Sequence, residues 1–225
     1  VEVLRELGAN VIPVERAADG VFVPIDTEAI EEHDLETFRR LAEEHKPFAI
    51  VSTDGDSDRP FVVDEHGTFH RGDVLGVVTS QYLGVRHFAI PISASDAVDR
   101  QFAKEGISLT HTQIGSPYVI KAMNDMVAGG AERVASCEVN GGYLTADDME
   151  VNGKSLAALP TRDALLPILS ALMQADALNV PVSEVFASLP QRPTQANLLD
   201  QFPNAVSKAI IKLFSTTDIR VTHVT

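Results

Sequence analysis

Positive charge is scarce in this chain: 18 Lys and Arg stand against 32 Asp and Glu in 225 residues, leaving a net charge of -14 at pH 7. A surface of that sign repels phosphate backbones and anionic lipid. It argues against nucleic acid or a membrane as partner and leaves small cations and locally compensated anions. Cysteine occurs once, at Cys137, so a disulfide within the chain is excluded. Long apolar runs and a secretory signal pattern are both missing, and a soluble cytoplasmic protein is the expectation. Internal repeats and low-complexity tracts are absent too. What remains is a globular composition, 44% hydrophobic, sufficient for one large or two small domains.

The densest chemistry lies in Asp54-Gly55-Asp56-Ser57-Asp58-Arg59. Apolar runs at 48–51 and 61–63 flank it and read as strands, which puts the acidic stretch at a strand end. Carboxylates at i, i+2 and i+4 of a tight turn converge on one point, a hard-oxygen donor set suited to Mg²⁺ or a similar cation. Without a counter-ion, each close pair repels by about 4 kcal/mol at about 4 Å and an effective dielectric near 20. A solvated acidic turn stays open as the alternative, because short acidic motifs are common. EF-hand spacing from Asp54 reaches Glu65, but Arg59 stands where that loop needs Gly, and strands flank it where helices should. A strand ending in Asp-x-Asp also fits a haloacid-dehalogenase-type phosphatase with Asp54 as nucleophile, although Ser57-Asp58-Arg59 departs from the residues expected next.

Around that loop the chain alternates. Residues 1–8 read as the end of an amphipathic helix with a Gly stop, 10–14 as a strand and 17–20 as a turn. Asp34 is the expected cap of a helix through His45, with Leu35, Phe38 and Leu41 at helical spacing. Strand, helix and the strand before Asp54 make a β-α-β unit, for which a parallel pair with a right-handed crossover is expected. Glu65-His66-Gly67 reads as a hairpin turn, and His66 and His70 as exposed turn histidines. From a boundary near Gly72, a helix with Val74, Leu75, Val77, Val78 and Leu83 opens a second unit. Strands at 87–92, 107–112 and 133–139 then alternate with helices at 96–105 and 118–128, an α/β pattern. Asp147, Asp148 and Glu150 read as a solvated acidic turn. Thr161 is the expected cap of a long helix, with Asp163 as a cap or packing residue. Prolines at 181, 190, 193 and 203 punctuate short closing helices, and 218–224 reads as a strand opening a further unit. With no initiating Met, the expectation is a fragment of a longer protein.

Two more loops carry possible chemistry. Thr112-Gln113-Ile114-Gly115-Ser116-Pro117 joins a strand to a helix; it either frees backbone N–H groups to face an anion or merely starts the helix. Cys137-Glu138-Val139-Asn140-Gly141-Gly142-Tyr143 supplies a carboxylate, an amide and two glycines. That set suits adjacent sugar hydroxyls at close approach, or a plain hairpin turn.

Taken together, these stretches resemble the α-D-phosphohexomutases, the phosphomannomutase and phosphoglucomutase family. Residues 54–59 match that family's metal loop D-G-D-x-D-R, 112–115 its T-x-x-G loop, and 138–142 its sugar loop G-E-x-S-G-H at Glu138 and Gly141. Asn140 replaces the Ser, Gly142 the His, and Pro117 stands at the place of a customary Lys. The resemblance implies an α/β fold of two consecutive mixed domains of the phosphohexomutase type, each sheet sandwiched by helices. Domain 2 would end at residue 71, domain 3 would run over 72–214, and a linker would begin over 215–225.

The same resemblance implies Mg²⁺ on Asp54, Asp56 and Asp58, Arg59 on the transferred phosphate, and Glu138, Asn140, Thr112 and Gly115 on the substrate. The implied reaction interconverts hexose 6-phosphate and hexose 1-phosphate through a phosphoserine and a hexose 1,6-bisphosphate, which is also the activator. Neither a T-A-S-H-N-P-like serine loop nor the family's Arg-Ser-Gly phosphate clamp occurs in these residues, so the chain by itself is expected to be inactive. Pro117, Asn140 and Gly142 motivate a rival reading, a sugar-phosphate or metal-binding module without turnover. Mannose or glucose preference and oligomeric state are not legible.

Overall fold

A computed structural model describes residues 1–14, 26–192, 194 and 201–214; the expected turn at 17–20 and strand at 218–224 lie outside them. The chain divides into one compact unit up to Pro193 and a second from Thr194 onward. The first opens with α1 (Glu2–Glu6) and α2 (Glu32–His45), followed by β1 (Ala49–Thr53), β2 (Pro60–Asp64) and β3 (Phe69–His70). Glu31 is the N-cap of α2, and Asp34, three residues in, accepts the Glu31 N–H at 3.1 Å, so the expected cap sits one turn too late. Lys46 in the left-handed conformation, followed by Pro47, stops the helix.

The three strands form an antiparallel meander, with Ile50 opposite Val63 and Thr53 opposite Pro60. The expected parallel β-α-β unit is not found among the described residues: 10–14 are not a strand, and Ile12 and Val14 are exposed. Pro13 has no N–H to give to a ladder. The 65–67 turn forms as expected, but only one histidine behaves as expected. His66 is exposed, whereas His70 is largely buried, stacked on Phe186 at 3.7 Å with Nε2 3.0 Å from Asp64 Oδ2.

Next come α3 (Gly72–Leu83), β4 (His87–Pro91), α4 (Asp96–Glu105), β5 (Ser108–Thr112), α5 (Ser116–Ala128), β6 (Val134–Cys137) and β7 (Tyr143–Thr145). The sheet order is β5-β4-β6-β7, with the first three strands parallel and β7 returning antiparallel. β4 is buried on both faces, and the two-residue period of a strand divides its side chains. Phe88 and Ile90 pack with Leu75, Phe102 and Ile168 on one side; Ala89 packs with Val119 and Met123 of α5 on the other. Each of the larger of these buried side chains contributes about 1.5–3 kcal/mol.

A small hairpin, β8 (Met149–Val151) and β9 (Lys154–Leu156), turns at Asn152-Gly153 with both residues at positive φ. Asp147 beside it is no free acidic residue: its carboxylate accepts the Arg133 and Val134 N–H groups at 2.6 and 2.7 Å, holding the start of β6. The capping side chain of α6 (Leu165–Leu178) comes from Asp163, just before the N-cap position Ala164, and not from Thr161: Asp163 accepts from Leu165 N–H at 2.9 Å and Leu166 N–H at 3.2 Å. With α7 (Val182–Ala187), α6 closes one core that also includes Val62 of β2, so both sheets share it. The second compact unit has α8 (Asn204–Leu213), which begins directly after Pro203.

Candidate active site

Both loops of interest are turns of antiparallel hairpins. The acidic loop joins β1 to β2, and the 138–142 loop joins β6 to β7. The first closes on itself: Asp54 N–H donates to Arg59 O at 3.2 Å, Arg59 N–H to Asp54 Oδ1 at 3.1 Å, and Ser57 N–H to Asp54 O at 3.2 Å. Ser57 at φ 64 tightens the turn. One oxygen from each of Asp54, Asp56 and Asp58 then lies within 4.8 Å of the others. Burial first, and next the neighbouring Asp56 and Asp58, push the Asp54 carboxyl above its ordinary value against the opposing Arg59 N–H. Such crowding is what a divalent cation relieves.

The donor set also fits one on a second count. Asp58 Oδ1 and Arg59 Nε are buried without a hydrogen-bond partner, and Arg59 Nε stands 3.6 Å from Asp54 Oδ2 and 3.7 Å from Asp58 Oδ1. These are ion-pair distances too long for hydrogen bonds. The structure thus keeps a carboxylate oxygen and a guanidinium N–H side by side with neither satisfied by the protein.

The second loop is braced from outside. Gly141 N–H donates to Glu138 O at 2.9 Å, and Gly142 N–H to Asn140 Oδ1 at 3.1 Å, which leaves the Asn140 Nδ2 amide as its remaining polar group. Thr27, 2% exposed, reaches Asn140 O through Oγ1 at 3.4 Å. A Cβ on Gly72 would lie 2.2 Å from Gly141 N, so only glycine lets the start of α3 meet this loop. Glu138 Oε2 pairs with Arg162 Nη1 at 3.1 Å, and Arg162 Nη2 pairs with Asp58 Oδ2 at 2.5 Å. The predicted metal and sugar residues are therefore brought together.

Thr112 and Gly115 are placed differently. Thr112 ends β5 with its hydroxyl donating to Gln113 O at 2.8 Å, and Gly115, at φ 125, precedes α5, with Pro117 in its first turn. They share the carboxyl edge of the parallel strands with Glu138 but lie two strands away, about 10 Å across. No hydrogen bond or ion pair among the described residues joins them to the acidic loop.

Sequence reasoning missed Arg162 and Glu28. Arg162 was visible only as the residue before a helix cap. Glu28 is an exposed residue, yet burial of its carboxyl raises it above the ordinary value; Arg59 and Arg71 oppose the rise and Asp26 and Glu138 add to it. Nothing in the sequence around Glu28 signals that company. An open groove of about 500 Å³ lies elsewhere, beside Lys46, Phe48, Glu65 and Pro181, away from these groups.

Residues 1–67 match the family described as phosphoglucomutase/phosphomannomutase, alpha/beta/alpha domain II, and residues 71–192 match its alpha/beta/alpha domain III. A phosphomannomutase of Sinorhizobium fredii is 38% identical over 221 residues, covering 98% of this chain and 46% of that protein. One from Salmonella muenchen is 40% identical over 210 residues, covering 93% and 42% respectively. The chain thus spans a little under half the length of these curated relatives.

Two solved structures are similar in fold. The putative phosphomannomutase from Thermus thermophilus gives a TM-score of 0.54 at 23% identity over 72% of this chain and 35% of that one. A phosphoglucomutase/phosphomannomutase family protein from Burkholderia thailandensis gives 0.55 at 16% identity over 72% and 33%.

Proposed function

The chain belongs to the phosphoglucomutase/phosphomannomutase family, and from that premise we propose that the whole protein interconverts hexose 6-phosphate and hexose 1-phosphate. The observation that carries this reading is the convergence of three aspartates beside Arg59, tied through Arg162 to Glu138.

In this reading Asp54, Asp56 and Asp58 hold Mg²⁺, which when bound supplies Lewis-acid stabilisation of charge on the phosphoryl group in transit. Arg59, whose Nε makes no hydrogen bond within the protein, holds that group with its guanidinium. Glu138 accepts from, and Asn140 Nδ2 donates to, neighbouring sugar hydroxyls. Gly115 and the N-terminus of α5 face an anionic end of the substrate from the same sheet edge, with Thr112 beside them. A phosphoserine outside these residues donates the phosphoryl group, and a hexose 1,6-bisphosphate is both intermediate and activator. In this reading the site works in the cytoplasm on soluble sugar phosphates. Among the described residues no helix is long and apolar enough to cross a membrane. The boundary between the two domains falls near residue 71, where α3 begins.

The phosphatase reading loses its ground, because family domains cover both sides of the acidic loop. A coupled assay of the intact protein with mannose 1-phosphate and glucose 1-phosphate tests the proposal. Turnover of at least one is expected with Mg²⁺ and none after chelation. Binding of both sugars without isomerisation would instead establish a recognition module.

A further inference from the structure

Arg162 bridges the two hairpin loops where they pack together: one guanidinium nitrogen lies 2.5 Å from Asp58 Oδ2 and the other 3.1 Å from Glu138 Oε2. Its place is built in three ways. The next residue, Asp163, exchanges backbone hydrogen bonds with Tyr143 at 2.9 and 3.2 Å and caps α6, so the backbone beneath Arg162 is fixed. Gly142 leaves room for the stem: a Cβ there would lie 2.8 Å from Arg162 Cδ and 3.0 Å from its Cγ, and 3.1 Å from the Asp58 carbonyl oxygen. Finally, a planar guanidinium presents several N–H groups in a rigid fork and so serves two carboxylates at once, which a lysine ammonium on a flexible stem does poorly.

We propose that Arg162 is a positioning residue for substrate recognition, stapling Glu138 and the 138–142 loop to the acidic loop, and that Gly142 is glycine in this chain because the Arg162 stem, with the Asp58 carbonyl beside it, occupies the space a side chain would need. This rests on the reading above that Glu138 contacts the sugar. Arg162 does not block the acidic loop, since Asp58 gives it Oδ2 and keeps Oδ1 free of hydrogen bonds. It does bring a positive charge near a cation site, and such a charge weakens divalent binding by roughly tenfold even with water screening. Removing Arg162 therefore pulls two readouts apart: sugar recognition worsens while metal binding holds or improves. Loss of a merely structural residue would weaken both.

The test uses the intact protein, with steady-state kinetics on glucose 1-phosphate and mannose 1-phosphate and Mn²⁺ binding by electron paramagnetic resonance. Arg162→Gln is expected to raise KM about tenfold with kcat little changed, the pattern of lost uniform binding. Its Mn²⁺ affinity should be equal or tighter, by up to roughly tenfold. Arg162→Lys, which keeps the charge but reaches one partner, should fall between. Gly142→Ala should raise KM by displacing the stem without removing the charge, and it carries the test if Arg162→Gln fails to fold. An unchanged KM in Arg162→Gln, or Mn²⁺ affinity that falls together with sugar recognition, overturns the proposal. Wild-type protein that turns over neither sugar sinks the mutase reading itself, a result visible before any variant is made.

Discussion

The two hairpin loops solve one problem by opposite means. The acidic loop is self-sufficient: six consecutive residues supply the three carboxylates, the Arg and the turn bonds that aim them. The 138–142 loop has one acidic side chain and adds to its own turn bonds a bracing from distant residues: Gly72 beneath it, Thr27 against its backbone and Arg162 on Glu138. A third hairpin shows what separates a functional carboxylate from a structural one. Asp64 is as buried as any residue of the site, yet its oxygens take the His66 and Thr68 N–H groups at 2.9 Å and His70 Nε2 at 3.0 Å. All its capacity goes into its own turn, whereas Asp58 Oδ1 has no hydrogen-bond partner.

If the acidic loop serves a ligand and not the fold, damaging it should cost function alone. Asp56→Asn is expected to lower kcat roughly a hundredfold, about 3 kcal/mol of transition-state stabilisation, the size seen when one preorganised electrostatic group is lost. Its metal-free melting temperature should be unchanged or raised, because a like-charge contact is relieved. A melting temperature that drops with kcat would erase the contrast between the loops.

The other loop should behave in the reverse sense. Gly72→Ala puts a methyl into the Gly141 backbone and should destabilise the protein by about 2 kcal/mol, read in denaturant unfolding, while Mn²⁺ affinity stays near wild type. Equal stability of the variant would mean that the two segments part without cost.

The smallest effect, confined to acid, belongs to Asp64. Burial pushes its carboxyl up, but the hydrogen bonds from His70, Thr68 and His66 outweigh burial and hold it below the ordinary value. A carboxyl depressed in the fold contributes stability that is whole above its unfolded pKa of about 3.9 and is lost as pH falls through the folded value. The melting temperature should therefore decline below about pH 4, and Asp64→Asn should flatten that decline; identical acid profiles would count against the assignment.

Much of the fold was legible in the chain. The alternation from 87 to 137 gave every strand and helix of the parallel sheet, because runs that alternate between faces and runs at helical spacing are local patterns. The errors cluster where ends and partners matter. Asp34 and Thr161 were misplaced by a turn or less, since several polar residues near a helix start compete to cap it and only the backbone path chooses. The parallel pairing of 10–14 failed because that run forms no strand: Pro13 lacks an N–H for a ladder, and a short apolar run does not state whether a strand lies beside it. His70 looked exposed because nothing local announces the ring of Phe186.

The sequence by itself determined the acidic loop, since carboxylates two residues apart in a tight turn converge by backbone geometry alone. It determined the glycines and the α/β alternation for the same local reason. Only the tertiary structure decided that Arg162 joins Asp58 to Glu138, that Glu28 stands among Arg59 and Arg71, and that Gly142 makes way for a neighbour's stem. Those contacts join residues far apart in the chain, and their meeting depends on the packing of whole elements around a shared core, which no short window of residues encodes.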